Sequence, residues 1–346
     1  MTKTSDVIHK PDVTDEPTTH PEGVKQVRPS RLHNLASNYG VVGFLLLMIL
    51  VFAIAIPDTF PTPDNFRGIL GDQSIPAILA LAALLPLAAG EFDLSLGATL
   101  GFSAIVAISL SNAGLPVPVV VLATLLAGLM IGAINALLVV KLGVNAFIAT
   151  LATATVLAGL NLLITNGSLL TVESDSYVKI TATTVLGVQV VFAFAACTAL
   201  VLWYVLEKSP YGRYLRATGM GRDAARLSGI RTNRYLASAF IVAGVMAAFA
   251  GFLFSSRSGS VPPTLGPEFL LPAYAAAFLG ATTIRPGYFN VWGTIVGVLL
   301  LAVGSNGLTL LGAETWVTNV FNGVALMIAV SLSVQVARRR DRAQRT

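Results

Sequence analysis

Residues 207–234, EKSPYGRYLRATGMGRDAARLSGIRTNR, form a charged island in an otherwise apolar chain. The island holds seven basic residues (Lys208, Arg213, Arg216, Arg222, Arg226, Arg231, Arg234) against two acids, Glu207 and Asp223. Apolar runs of membrane-spanning length lie on both sides of it, so it sits at one face of a bilayer. Loops rich in Lys and Arg remain on the cytoplasmic face. The spacing also predicts helix within the loop. Ser209-Pro210 reads as an N-cap with proline at the first helical position, and Thr218-Gly219 as the end of that helix. Asp223 is placed to cap a second short turn that Gly229 stops. A plain connector needs no such pieces; this loop is built to be gripped by a partner.

The composition agrees. The chain is 55% hydrophobic and 11% charged, with a mean hydropathy of +0.76, whereas soluble chains carry roughly 25% charged residues. The net charge of +5 does not point to nucleic acid. Its basic residues gather in the N-terminal tail, the island and the final Arg338, Arg339, Arg340, Arg342 and Arg345, the pattern of a membrane protein's inner face. Cys197 is the lone cysteine, and His9, His20 and His33 all lie in the N-terminal tail. Intramolecular disulfides and thiolate or HExxH metal chemistry are therefore excluded, and no cofactor is expected. No GxxxxGK[ST] motif occurs, so the chain has no phosphate-binding loop of its own.

The sequence predicts an all-α integral membrane protein of about ten transmembrane helices, with a helical cytoplasmic segment between the sixth and seventh. The expected spans are 40–56, 74–90, 94–112, 116–140, 145–165, 187–206, 235–254, 269–284, 291–310 and 316–336, each near the ~20 residues a bilayer requires. Residues 1–37 are expected as a disordered cytoplasmic tail, 38–337 as the membrane domain and 338–346 as a basic cytoplasmic tail. An even number of spans on each side of the island puts both termini, Lys141 and Arg285 inside. It puts 57–73, 166–186 and 255–268 outside. Gly97/Gly101, Gly128/Gly132 and Gly293/Gly297 are GxxxG pairs, suited to packing within one bundle or to dimerisation. A short echo links FDLSLGATLG (92–101) to FNVWGTIVG (289–297), and another links INALL (134–138) to SNGLT (305–309).

Polar residues in apolar surroundings mark the candidate site. Glu91 and Asp93 stand between two apolar runs with almost no loop. Three readings fit them: a tight turn in which Asp93 caps the next helix, a broken helix lining a polar pathway, and a proton-coupling carboxylate. Asn135 and Asn306 would act as interhelical glue or as hydrogen-bond partners for a sugar or polyol. Phe92 and Tyr274 would stack on a sugar face or fill the core, and Ser95 completes the candidate pathway set.

Three blocks carry a family likeness. GEFDLSLG (90–97) resembles the G-G-x-D-L-S-x-G motif of ribose-type ABC importer permeases. Gly212, Arg213, Ala217, Gly219, Ala224, Ala225 and Gly229 match their ATPase-coupling segment, and residues 279–312 resemble their last block. The likeness covers residues 40–336. It implies an inner-membrane permease for a monosaccharide or related polyol, with no enzymatic activity of its own. Its implied partners are cytoplasmic ATP-binding subunits, a periplasmic or lipid-anchored sugar-binding protein, and a second permease copy, identical or not. The chain departs from the pattern at Glu91, in place of glycine, and at Leu270 and Pro272, in place of acids. Arg285-Pro286 replaces a glycine-rich turn. Two other classes compete. An ion-coupled carrier would place its coupling on Glu91 or Asp93, and an integral membrane enzyme would need a cluster of His, Cys and carboxylates that the chain lacks.

Overall fold

The computed structural model describes residues 31–185 and 187–345. In chain order the helices are α1 (Arg31–Ala55), α2 (Pro63–Asp72), α3 (Ser74–Ala88), α4 (Leu96–Asn112), α5 (Val117–Ala136), α6 (Ala146–Thr165) and α7 (Asp175–Ala182). They continue with α8 (Val190–Trp203), α9 (Pro210–Met220), α10 (Arg222–Leu227), α11 (Thr232–Ser258), α12 (Pro267–Gly280), α13 (Val291–Leu310) and α14 (Thr315–Arg345). Four two-residue strands, β1 (Leu170–Thr171), β2 (Thr184–Val185), β3 (Val188–Gln189) and β4 (Ser260–Val261), pair antiparallel as β1–β4 and β2–β3. α5 and α8 each end in one π-helical turn, at Leu137–Lys141 and Tyr204–Lys208.

Among the described residues six helices are long and apolar enough to cross a membrane, or seven if α2 and α3, bent by 42°, count as one span. Several expected spans are shorter than the ~20 residues a crossing needs. α3 has 15 residues, α4 17 and α12 14. α3 ends at the partly buried turn 89–95, from which α4 starts, and α12 ends at the turn 281–290. The first turns on Gly90 (φ 81°), and the second on Ile284 (φ 62°) and Gly287 (φ 83°). Residues 31–37 are helical rather than disordered, and α14 continues through most of the expected C-terminal tail. The rest of the expected N-terminal tail, 1–30, lies outside the described residues.

α3 forms the axis of the bundle: every residue in it except Pro76 is buried. A helix apolar on all sides is covered by protein or by lipid, and α3 is covered by protein. α11, α12, α4, α8 and α13 supply it. α5 and α6 instead expose Leu122, Met130, Ile148 and Leu163 outward, as helices facing lipid do.

All three GxxxG pairs pack inside the chain. A Cβ at Gly97 or Gly101 would overlap the Gly266 or Leu265 carbonyl, and one at Gly128 or Gly132 would overlap the backbone of α11. Gly293 and Gly297 lie against Gly280 and Ala276 of α12. The stronger sequence echo is real in space: FDLSLG and FNVWG each follow a short buried helix and open a glycine-bearing one. The weaker echo is not, since Asn135 lies at the end of α5 and Asn306 within α13.

Loops that the charge pattern puts on one side meet one another. β1 and β4 join segments 166–186 and 255–268, and Arg257 pairs with Asp72. At the other end of the bundle the turns 89–95 and 281–290 meet the island.

Candidate functional site

Asp93 is 1% exposed at the centre of the first of these turns. Its Oδ1 accepts from the Ser95 amide (3.0 Å) and from Ser95 Oγ (2.6 Å). Ser95 Oγ in turn accepts from Asn135 Nδ2 at 2.8 Å, and Asn135 Oδ1 accepts from Thr153 Oγ1 at 2.7 Å. The Tyr274 hydroxyl closes the turn from the far side. It donates to the Asp93 carbonyl and accepts from the Asp93 amide, both at 2.9 Å. Leu94 N–H donates to Thr150 Oγ1 at 3.0 Å. Asp93 Oδ2 is buried and has no hydrogen-bond partner. Burial pushes the Asp93 carboxyl up to about 6, against the pull of the Ser95 hydrogen bonds.

Asp93 therefore braces its own turn rather than capping α4. Ser95 occupies the N-cap position, and its side chain makes no cap bond there. The neighbouring Phe92 is 43% exposed. Its ring lies 5.7 Å from Tyr274 and 6.1 Å from Phe278, and Phe278 lies 5.5 Å from Phe289. The structure thus gathers Phe92, Asp93, Ser95, Asn135 and Tyr274 around one turn. Glu91 points away from it and pairs with Arg222. Asn306 is not part of the cluster: it exchanges two 3.1 Å hydrogen bonds with Asn65 of α2. Sequence reasoning missed Thr150 and Thr153. Their signal was the i, i+3 threonine spacing after the N-cap Asn145, which presents hydroxyls on one face of α6.

The island folds as two helices. Pro210 opens α9, while the Ser209 hydroxyl turns back to the Val205 carbonyl (2.6 Å) instead of capping. α9 does not break at Thr218-Gly219. It runs to Met220, and Gly221 forms the junction with extended backbone (φ 174°). Gly219 is needed for a steric reason: a Cβ there would overlap the Ala88 carbonyl and crowd Gly90 N–H. Gly212 meets the Leu206 carbonyl in the same way.

Gly221, not Asp223, holds the N-cap of α10. At the other end Gly229 (φ 82°) and Ile230 donate to Arg226 O (2.9 Å) and Ala225 O (3.0 Å), the Schellman pairing that the sequence placed there. Ala225 is buried, whereas Ala224 is exposed. Arg213, Arg216, Ala217, Met220, Ala224 and Arg285 border a cavity of about 690 Å³. Burial lowers the affinity of Arg216 for its proton and the nearby Glu207 raises it. Arg216 Nε and Nη2 are buried without partners. At the tip of α10, Leu227 is 92% exposed, a large apolar side chain on a charged surface.

No group of three or more His, Cys, Asp or Glu residues among the described residues could hold a metal ion. The turn gathers hydroxyls, an amide and aromatic faces around one buried carboxylate, and these polar groups bond chiefly to one another.

Residues 65–330 match the family described as branched-chain amino acid transport system / permease component. The chain is 33% identical to the ribose import permease of Haemophilus influenzae, over 83% of this chain and 90% of that one. It is 33% identical to the ribose import permease of Bacillus subtilis, over 89% and 96%. It is 30% identical to the D-allose transport system permease of Escherichia coli K12, over 85% and 90%. No solved structure matches the chain.

Proposed function

From the premise that the chain belongs to this permease family, among the ribose-type permeases of ABC importers, we propose that it conducts a monosaccharide or related polyol across the bacterial inner membrane. In this reading it crosses the membrane ten times, with both termini and residues 207–234 in the cytoplasm. It pairs with a second permease copy and receives sugar from a periplasmic or lipid-anchored binding protein. Separate ATP-binding subunits hydrolyse the ATP and grip α9 and α10. Gly212, Gly219, Ala225 and Gly229 shape that element, while Arg213, Ala217 and Ala224 face its cleft. Alternating access follows when the subunits' closure favours one arrangement of the bundle over the other.

The observation that carries the reading is the direct seating of the island on the turn that holds the polar-aromatic cluster. Gly219 lies against Ala88 and Gly90, two residues before Phe92. A solvated connector has no reason to be packed onto the backbone of the bundle's central helix. The nearly naked Leu227 adds an apolar anchor of the kind that seats in a partner's pocket.

Uptake of labelled ribose, allose, galactose and arabinose by cells expressing the chain with and without its ATP-binding subunit tests the reading. Uptake of at least one sugar should require the subunit, and the purified chain alone should hydrolyse no ATP. Uptake that persists without the subunit and collapses with a protonophore would indicate a carrier coupled through Asp93 instead.

A further inference from the structure

The two turns are each fastened to the charged island by one ion pair. In the first, Glu91 pairs with Arg222 of α10, with side chains 24% and 35% exposed. In the second, Arg285 Nη1 lies 2.7 Å from Glu207 Oε2, a carboxylate only 4% exposed in the π turn that precedes α9. Partly buried pairs are screened less than surface pairs, and removing one partner leaves a charge stranded.

Both fastenings lead to the same place. Glu91 is followed directly by Phe92. Arg285 lies four residues before Phe289, which contacts Phe278, and Phe278 contacts Phe92. The island therefore holds the aromatic cluster from two sides, through turns at the ends of two different short helices, α3 and α12.

We propose that Glu91–Arg222 and Glu207–Arg285 are positioning joints that carry motion of residues 207–234 into the Phe92–Phe278–Phe289 cluster. The proposal rests on the permease reading above. The joints stay closed through the transport cycle and act as hinges between rigid parts. They are not equivalent. Glu207 has a second guanidinium nearby, Arg216, whose Nε and Nη2 are unpartnered, so it keeps a cation when Arg285 is lost. Glu91 makes its one ion pair, among the described residues, with Arg222.

A double-mutant cycle in the assembled transporter tests this, reading sugar moved and ATP hydrolysed per inserted chain. Glu91→Gln and Arg222→Gln should each raise the ATP hydrolysed per sugar moved by about tenfold, the double variant should be no worse than either single, and the swap Glu91→Arg/Arg222→Glu should recover most of the loss. Arg285→Gln should have a smaller effect. A purely structural contact would lower transport and hydrolysis together and leave their ratio unchanged, which would overturn the proposal. So would single effects that multiply in the double variant, or a swap that folds normally yet transports no better than the singles. Should Glu91→Gln not insert, the swap alone decides. Dependence of uptake on the ATP-binding subunit is read separately in the parent chain, so failure of the permease reading is distinguishable from failure of the joints.

Discussion

The turns 89–95 and 281–290 occupy matching places in the chain, each between a short buried helix and a glycine-bearing one, yet they are finished with different chemistry. In the second, Asn290 is saturated. Its Nδ2 donates to the carbonyls of Gly280 (2.9 Å), Thr283 and Tyr288 (both 3.1 Å), and its Oδ1 accepts from Gly293 N–H at 2.8 Å. In the first, Asp93 spends one oxygen on Ser95 and leaves the other buried and unpartnered. A neutral amide with every bond made is a structural fastener. A carboxylate with an unpartnered buried oxygen leaves its turn incompletely bonded. The same architectural slot holds a fully bonded amide in one turn and a carboxylate with one unpartnered oxygen in the other.

Exchanging the chemistry of the two slots should break them unequally. Asn290→Asp replaces the donating amide with an oxygen, removes three hydrogen bonds and sets a carboxylate against the Gly280, Thr283 and Tyr288 carbonyls. The cost should be about 3 kcal/mol or more, since each lost hydrogen bond costs about 1 kcal/mol and the carboxylate is repelled by the carbonyls it faces. Thermal unfolding in detergent should show a large fall in midpoint or loss of the folded chain. An unfolding midpoint within a few degrees of the parent would remove the contrast between the turns.

Asp93→Asn should be far milder, because Asn accepts from the Ser95 amide as Asp does, and uptake should persist. Its signature is in the pH dependence. The Asp93 carboxyl sits at about 6 against an ordinary 3.8, chiefly through burial. The native state therefore favours the protonated form. Its contribution is full below pH about 4 and is lost as pH rises through about 6, by about 3 kcal/mol. The parent should lose stability relative to Asp93→Asn across that window, and parallel curves for the two proteins would refute the assignment.

The smallest effect concerns the fit of the island on the bundle. Gly219→Ala introduces one methyl against the Ala88 carbonyl and should cost about 1–3 kcal/mol through displaced backbone. Gly229→Ala, at a left-handed cap with open space around it, should cost about 1–2 kcal/mol through backbone strain alone. A Gly219→Ala unfolding midpoint equal to the parent's would mean that α9 does not press on α3.

How much of this was legible in the sequence depended on whether local pattern or long-range contact decided it. The two-helix island, its Pro210 start and its Gly229 stop follow from residues within one turn of each other, and the structure has them there. Which helix forms the bundle's axis was not legible, because α3, α5 and α8 are alike in being apolar all round and, of the three, only α3 is enclosed at all but one residue. Neither was the role of Gly219, because the Ala88 carbonyl that forbids a side chain is 131 residues away. Helix length also misled: 269–284 is apolar enough for a span, but the strained turn at Ile284–Gly287 begins beyond Gly280 and leaves α12 short. Within the site, Asp93, Ser95 and Phe92 stood out as polar or aromatic residues at a helix break. Thr150 and Thr153 looked like ordinary helix threonines until Leu94 and Asn135 were placed beside them. Asn306 shared its residue type with Asn135 but not its neighbourhood. Two of the departures from the family pattern, Glu91 and Arg285, are the residues that pair with the island.

The central claim is that residues 207–234 face the cytoplasm and are covered by an ATP-binding subunit. Leu227→Cys in a Cys197→Ala background tests both halves of it at once, because position 227 is almost fully exposed in the chain alone. A membrane-impermeant thiol reagent should leave intact cells unlabelled, should label inside-out vesicles stripped of the subunit, and should lose most of that labelling when the subunit is added back. Labelling from outside the cell, or labelling in the vesicles that the subunit does not reduce, would contradict the account.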